Sequence, residues 1–138
     1  MENPFSDINF LPVLTAAAVS FVLGWLWYSP FLFGKIWLEE MKMKEEDCKK
    51  KNTVIALGGT FVLTLLAAFI LSSFVEIAGA EGAISGGVIG ILAGAGFVAT
   101  SIATNYLFET KSMKLFLINA GHYTACYAAM GTILGMMS

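Results

Sequence analysis

Four stretches of the chain, about Phe10 to Ser29, Thr53 to Val75, Ile84 to Phe108 and Leu115 to Met137, are almost free of charge. Each approaches or exceeds the roughly 20 residues that a helix needs to cross a hydrocarbon core of about 30 Å. Inside lipid a backbone must satisfy its own polar groups, so a stretch of this length is either helical or a strand of a closed barrel. A barrel strand alternates apolar and polar residues, and none of the four does. The expectation is therefore an all-α, integral membrane four-helix up-down bundle forming a single transmembrane domain over residues 1–138. The short connections Glu76 to Ala83 and Glu109 to Lys114 make neighbouring helices antiparallel.

Composition agrees with lipid as the main solvent. Hydrophobic residues make up 57% of the 138-residue chain and charged residues 13%, which leaves too little polar surface for a water-soluble sphere. The formal charge of −2 provides no basic field for a nucleic-acid backbone, so nucleic acid is excluded as a partner. A cleavable signal peptide has basic residues before its apolar region, whereas Glu2 and Asp7 precede the first stretch here. That stretch is expected to stay as a helix.

Orientation is read from the lysines, because cationic residues near membrane ends are retained on the cytoplasmic side. All eight cationic residues are Lys and they fall in two places: Lys35, Lys42, Lys44, Lys49, Lys50 and Lys51 follow the first stretch, and Lys111 and Lys114 follow the third. Two helices separate these segments, so both lie on one face. Both are expected in the cytoplasm, with the N- and C-termini outside the cytoplasmic (inner) membrane.

The segment 35–52 is the one long connection. Trp37, Met41 and Cys48 can share a helical face, with Glu39, Glu40, Glu45, Glu46 and Asp47 elsewhere, so a short interfacial helix is expected between helices 1 and 2. Its plain role is to fix topology. Lys49 to Lys51 can also dock a partner or anionic lipid, although the nearby carboxylates cancel much of that attraction. Cys48 lies in this segment and Cys126 within the fourth stretch, which predicts no disulfide between them.

Gly86, Gly90 and Gly94 recur every four residues on one face of helix 3, and Gly131 and Gly135 repeat the spacing on helix 4. Small residues at this interval form a glycine zipper that lets a second backbone come close. Ala67 and Ala68 of helix 2 can oppose them, sealing the outer half. The same face can instead pack between two chains, giving a homo-oligomer or docking another membrane subunit.

Polar and aromatic residues gather at the opposite end. Helices 3 and 4 fold back about Ser112, which places Asn105 level with Asn119 and Ser101 level with Tyr123, His122 beside it. Trp25, Trp27 and Tyr28 reach a comparable depth just before Pro30. Asn119, His122, Tyr123 and Cys126 share a face through their spacing of three and four. A cytoplasm-facing cluster of Trp25, Tyr28, Ser101, Asn105, Asn119, His122 and Tyr123 follows as the candidate ligand site. Each member also has a structural explanation: the asparagines hydrogen-bond across helices, and Trp27, Tyr28 and Trp37 form an interfacial aromatic belt. His122, the single histidine, is the one titratable cationic candidate within a span, the kind of residue that marks function in membranes.

The box Trp27-Tyr28-Ser29-Pro30-Phe31-Leu32-Phe33-Gly34-Lys35-Ile36-Trp37, with Asn105-Tyr106-Leu107-Phe108-Glu109 and Leu117-Ile118-Asn119-Ala120-Gly121, resembles a family of small bacterial membrane proteins catalogued only as a domain of unknown function. The likeness spans nearly the whole chain. It implies a four-helix, single-domain bacterial membrane protein and brings no substrate, cofactor or catalytic residue. Relatives often carry an Arg in the helix 3–4 turn and an aromatic tail, where this chain has Lys111 and Met136-Met137-Ser138.

No nucleophile–base–acid set, HExxH helix, paired carboxylates or phosphate-binding glycine loop occurs, so neither catalysis, a metal nor a cofactor is expected. Two functional readings stand. One is a binding or carrier module that holds a small, partly apolar molecule or lipid in the cluster. The other is an accessory or scaffold subunit of a membrane complex, with no ligand of its own.

Overall fold

The computed structural model describes residues 9–44, 46 and 53–138, and every regular element among them is helical. Helix α1 runs Phe10–Trp27, capped by the Asn9 side chain, which accepts from the Leu11 amide at 3.0 Å. Helix α2 (Gly34–Met41) is short and ends where Lys42 takes a left-handed conformation. Helix α3 is Thr53–Ile77, and α4 (Ala83–Ala93) passes through a π-helical turn (Gly94–Ala99) into α5 (Thr100–Glu109). Helix α6, Met113–Met136, starts at Ser112, whose hydroxyl accepts from the Leu115 amide at 3.1 Å.

Phe10–Trp27, Val54–Ile77 and Ala83–Glu109 are long and apolar enough to cross a membrane. The fourth stretch is different. Helix α6 has the length but not the apolar composition, since Asn119, His122, Tyr123, Tyr127 and several Gly and Thr dilute it. Its packing explains the tolerance. Leu115, Ile118, Ala120, Cys126, Met130, Gly131, Leu134 and Gly135 are buried on it, whereas α3 exposes Val54, Ile55, Leu57, Val62, Leu63 and Leu66. Helix α6 touches α1, α3, α4, the π turn, α5 and α2, so neighbouring protein supplies much of its surroundings.

The closest approach is between α4 and α6. A side-chain carbon added at Gly86 would run into the Gly131 carbonyl, one at Gly90 into the Tyr127 carbonyl, and one at Gly135 into the Gly82 carbonyl. At Gly94 the added carbon would lie 2.9 Å from Thr124 Cα. The two glycine sets thus oppose each other within one chain, and the expected partners Ala67 and Ala68 do not meet them. Ala68 instead is fully buried with Val13, Ala16, Ala17, Leu71, Val75, Met130 and Leu134, the core of the end remote from the lysines. Gly82, at φ +90°, turns the chain into α4 and donates its amide to the Gly135 carbonyl at 3.0 Å.

The short helix expected within segment 35–52 is found as α2, with Trp37 and Met41 half-buried. Glu40 accepts a hydrogen bond from the Ser112 hydroxyl, tying α2 to the start of α6. Glu45, Asp47, Cys48 and Lys49 to Lys51 lie outside the described residues. Cys126 is buried, and its thiol points to the Ser20 carbonyl at 3.7 Å.

Substituting Gly90→Leu is expected to cost about 3 kcal/mol or more, because the helices must separate to admit it. Gly58→Ala, at a position with nothing within 4 Å, is expected to be neutral or stabilising by up to about 1 kcal/mol. Unfolding in mixed micelles by a sodium dodecyl sulfate titration separates the two, and equal effects would refute the close α4–α6 contact.

Candidate functional site

Helix α1 ends beside the first half of α6. Trp27 donates its indole N–H to the Ile118 carbonyl at 2.9 Å, and its ring lies against Gly121, where an added carbon would be 3.2 Å from Cζ2. Trp27 is therefore half-buried in a helix contact and not merely a headgroup anchor. One residue on, the Tyr28 hydroxyl donates to Asn119 Oδ1 at 2.6 Å, and Asn119 Nδ2 donates to the Tyr106 hydroxyl at 2.6 Å. The Asn119 amide thereby joins α1 to α5 across α6. Pairing the polar groups this way removes the penalty of carrying them into an apolar medium.

The expected partner of Asn119 was Asn105, and the π turn accounts for the exchange. In an unbroken α-helix the Gly86–Gly90–Gly94 face continues to residues 101 and 105. A π turn holds one extra residue, which rotates everything after it by about 100°. Ile102 and Tyr106 consequently face inward and are half-buried, while Ser101 and Asn105 are exposed. Ser101 turns its hydroxyl onto the Phe97 carbonyl at 2.6 Å. Neither Ser101 nor Asn105 joins the cluster.

The other members do come together. Tyr28 and His122 have ring centroids 4.9 Å apart, as do His122 and Tyr123, and Trp27 lies 6.3 Å from His122. Tyr28, His122 and Tyr123 border a cleft of about 850 Å³ between α1, α3 and α6. It opens because α1 and α3 pack closely near Ala17 and Ala68, whereas the first turns of α3 stay exposed. Phe21 and Phe61 meet edge to face at 5.7 Å beside it. Trp25, Tyr28, His122 and Tyr123 line the cleft, as do Phe21, Phe31, Tyr127, Leu57, Leu63 and Met130. Asn119 lies outside it and acts by holding the Tyr28 hydroxyl.

The cleft runs from the end of α1 that leads into Lys35 as far as Met130 on α6. No Asp, Glu or Lys is among its lining residues. Thr60, Thr64 and Ser29 turn their hydroxyl protons onto backbone carbonyls at 2.7 Å each. The walls are thus largely apolar and aromatic, with a few polar atoms.

Sequence reasoning missed Tyr106, Gly24 and Gly121. A carbon added at Gly24 would be 2.9 Å from His122 Nε2, so this glycine gives the imidazole its seat as Gly121 does for the Trp27 indole. A single glycine inside an otherwise bulky helical run, with a ring on the facing helix, was the available signal.

Tyr28→Phe and Tyr106→Phe are each expected to destabilise the protein by about 0.6 to 1.7 kcal/mol, the range of hydrogen bonds between membrane helices. Asn105→Ala is expected to change stability by less than about 0.5 kcal/mol. Micellar unfolding midpoints test the rotation of α5, and a larger loss for Asn105→Ala than for Tyr106→Phe would contradict it.

No curated protein and no solved structure matches the chain. One family does match, described as a protein of unknown function (DUF1761), over residues 11–135, which takes in α1 to nearly the end of α6. The chain belongs to the DUF1761 family.

Proposed function

We propose that this chain is a membrane-embedded binding or carrier module, without catalysis, for a small, partly apolar molecule or lipid. The cleft between α1, α3 and α6 carries the reading. It is wide enough, at about 850 Å³, for a drug-sized molecule, and its aromatic walls supply stacking surface at little conformational cost. Trp25, Tyr28, His122 and Tyr123 face the ligand in this reading, and Asn119 positions Tyr28.

The membrane placement completes the proposal. Helices α1, α3 and the α4–α5 span cross the bilayer as lipid-facing elements, and α6 crosses within their shelter as the fourth member of an up-down bundle. The lysine-bearing segments lie in the cytoplasm of a bacterial cell, both termini lie outside, and the cleft opens toward the cytoplasmic leaflet. The scaffold alternative uses the Gly86–Gly90–Gly94 face to dock a second subunit. That face is already filled by α6 of the same chain, which favours the binding reading.

The protein purified into lipid nanodiscs is expected to retain a small molecule or a selected lipid, identified by mass spectrometry after extraction. Trp25→Ala and His122→Ala are each expected to lower its occupancy about fivefold, equivalent to about 1 kcal/mol for one ring contact. Extracts indistinguishable from empty nanodiscs, unchanged by both substitutions, would defeat the proposal.

A further inference from the structure

His122 carries information about what the cleft holds. Its Nδ1 is buried and has no hydrogen-bond partner. A neutral imidazole has one proton for its two nitrogens. A buried N–H with no acceptor is a costlier orphan than a buried lone pair, so the proton belongs on Nε2. Nε2 points at Gly24, which lines the cleft and has no side chain to cover the nitrogen. No hydrogen bond from the described residues reaches it. The result is an N–H donor on the wall of a largely apolar cleft, where an unmet donor is unfavourable.

The surroundings narrow what can meet that donor. The lining contains no Lys to balance an anion and no Asp or Glu to balance a cation. Tyr28 and Tyr123 flank the imidazole at centroid distances of 4.9 Å each, and Leu57, Leu63 and Met130 add apolar wall. We propose that the cleft binds a neutral, largely apolar molecule that presents a carbonyl-type oxygen to His122 Nε2–H, with Gly24 keeping that nitrogen uncovered. This rests on the binding reading above and adds the ligand class and the atom that selects it. The oxygen has two possible sources: the ester carbonyl of a glycerolipid, or a free carbonyl compound dissolved in the bilayer.

Benzophenone and diphenylmethane are a matched pair of probes, equal in rings and differing in a carbonyl. In nanodiscs of ether-linked lipid, which has no ester carbonyl, uptake in excess of empty nanodiscs is expected to be saturable and about tenfold tighter for benzophenone. The preference is expected to vanish in His122→Phe, which keeps a ring, and to shrink in Gly24→Ala, whose methyl group lies against Nε2. The single histidine gives one imidazole signal set in 15N nuclear magnetic resonance. That signal is expected to show the Nε2–H tautomer and to move downfield with benzophenone. If the same movement occurs in ester-linked nanodiscs without a probe, the lipid carbonyl is the natural source; if it needs benzophenone there too, a free carbonyl compound is. An Nδ1–H tautomer would overturn the proposal. Equal saturable binding of both probes would also overturn it while leaving the binding reading intact. Saturable binding of neither would remove both.

Discussion

The backbone contact between α4 and α6 is what the remaining structure is arranged around. Between helices in lipid there is little hydrophobic gain, so close van der Waals packing has to supply the attraction. Gly86, Gly90 and Gly94 on one side and Gly131 and Gly135 on the other bring carbonyls and α-carbons together where any side chain would intrude. Held against α4, helix α6 then receives α1 and α3 on its other flanks. A helix surrounded in this way can carry Asn119, His122 and several small residues that would be unfavourable in contact with lipid. Its modest hydrophobicity and its burial are two sides of one fact.

The same contact shapes the candidate site. Gly94 is pressed against Thr124 and Tyr127, and the α-helical ladder gives way to a π turn at that residue. The added residue redirects α5 so that Tyr106 reaches Asn119, and Asn119 in turn fixes the Tyr28 hydroxyl at the border of the cleft. Tight packing at the end remote from the lysines and an open cleft at the lysine end follow from one sequence bias. Glycine and alanine close the first, and bulky rings on α1 and α6 accompany an α3 whose first turns stay exposed at the second.

Much of this was legible from residue order. The apolar lengths place the starts and ends of α1, α3 and the α4–α5 span within about two residues of the observed ones. The three-and-four spacing of α6 places His122 and Tyr123 together, and the position of Pro30 brings Trp25 and Tyr28 level with them. What could not be read is helix phase beyond an irregular turn. Projecting one regular helix from Gly94 to Glu109 selects Ser101 and Asn105, and a single inserted residue turns both outward. Pairing of faces was equally hidden, because alanines on α3 and glycines on α6 are both small enough to oppose α4. Apolar count overstated α6 as an independent crossing, since shelter by neighbours is a tertiary property.

Contact with lipid distinguishes a sheltered α6 from one that faces acyl chains. The unmodified protein reconstituted with a diazirine-bearing phospholipid, illuminated and mapped by mass spectrometry reports which side chains meet acyl chains. Heavy labelling is expected on α3 from Val54 to Leu66 and on the outer face of α1 at Leu14 and Val22. Little is expected at Cys126, Met130, Leu134, Gly131 and Gly135. Labelling of those α6 positions as strong as that of α3 would show that α6 is not sheltered.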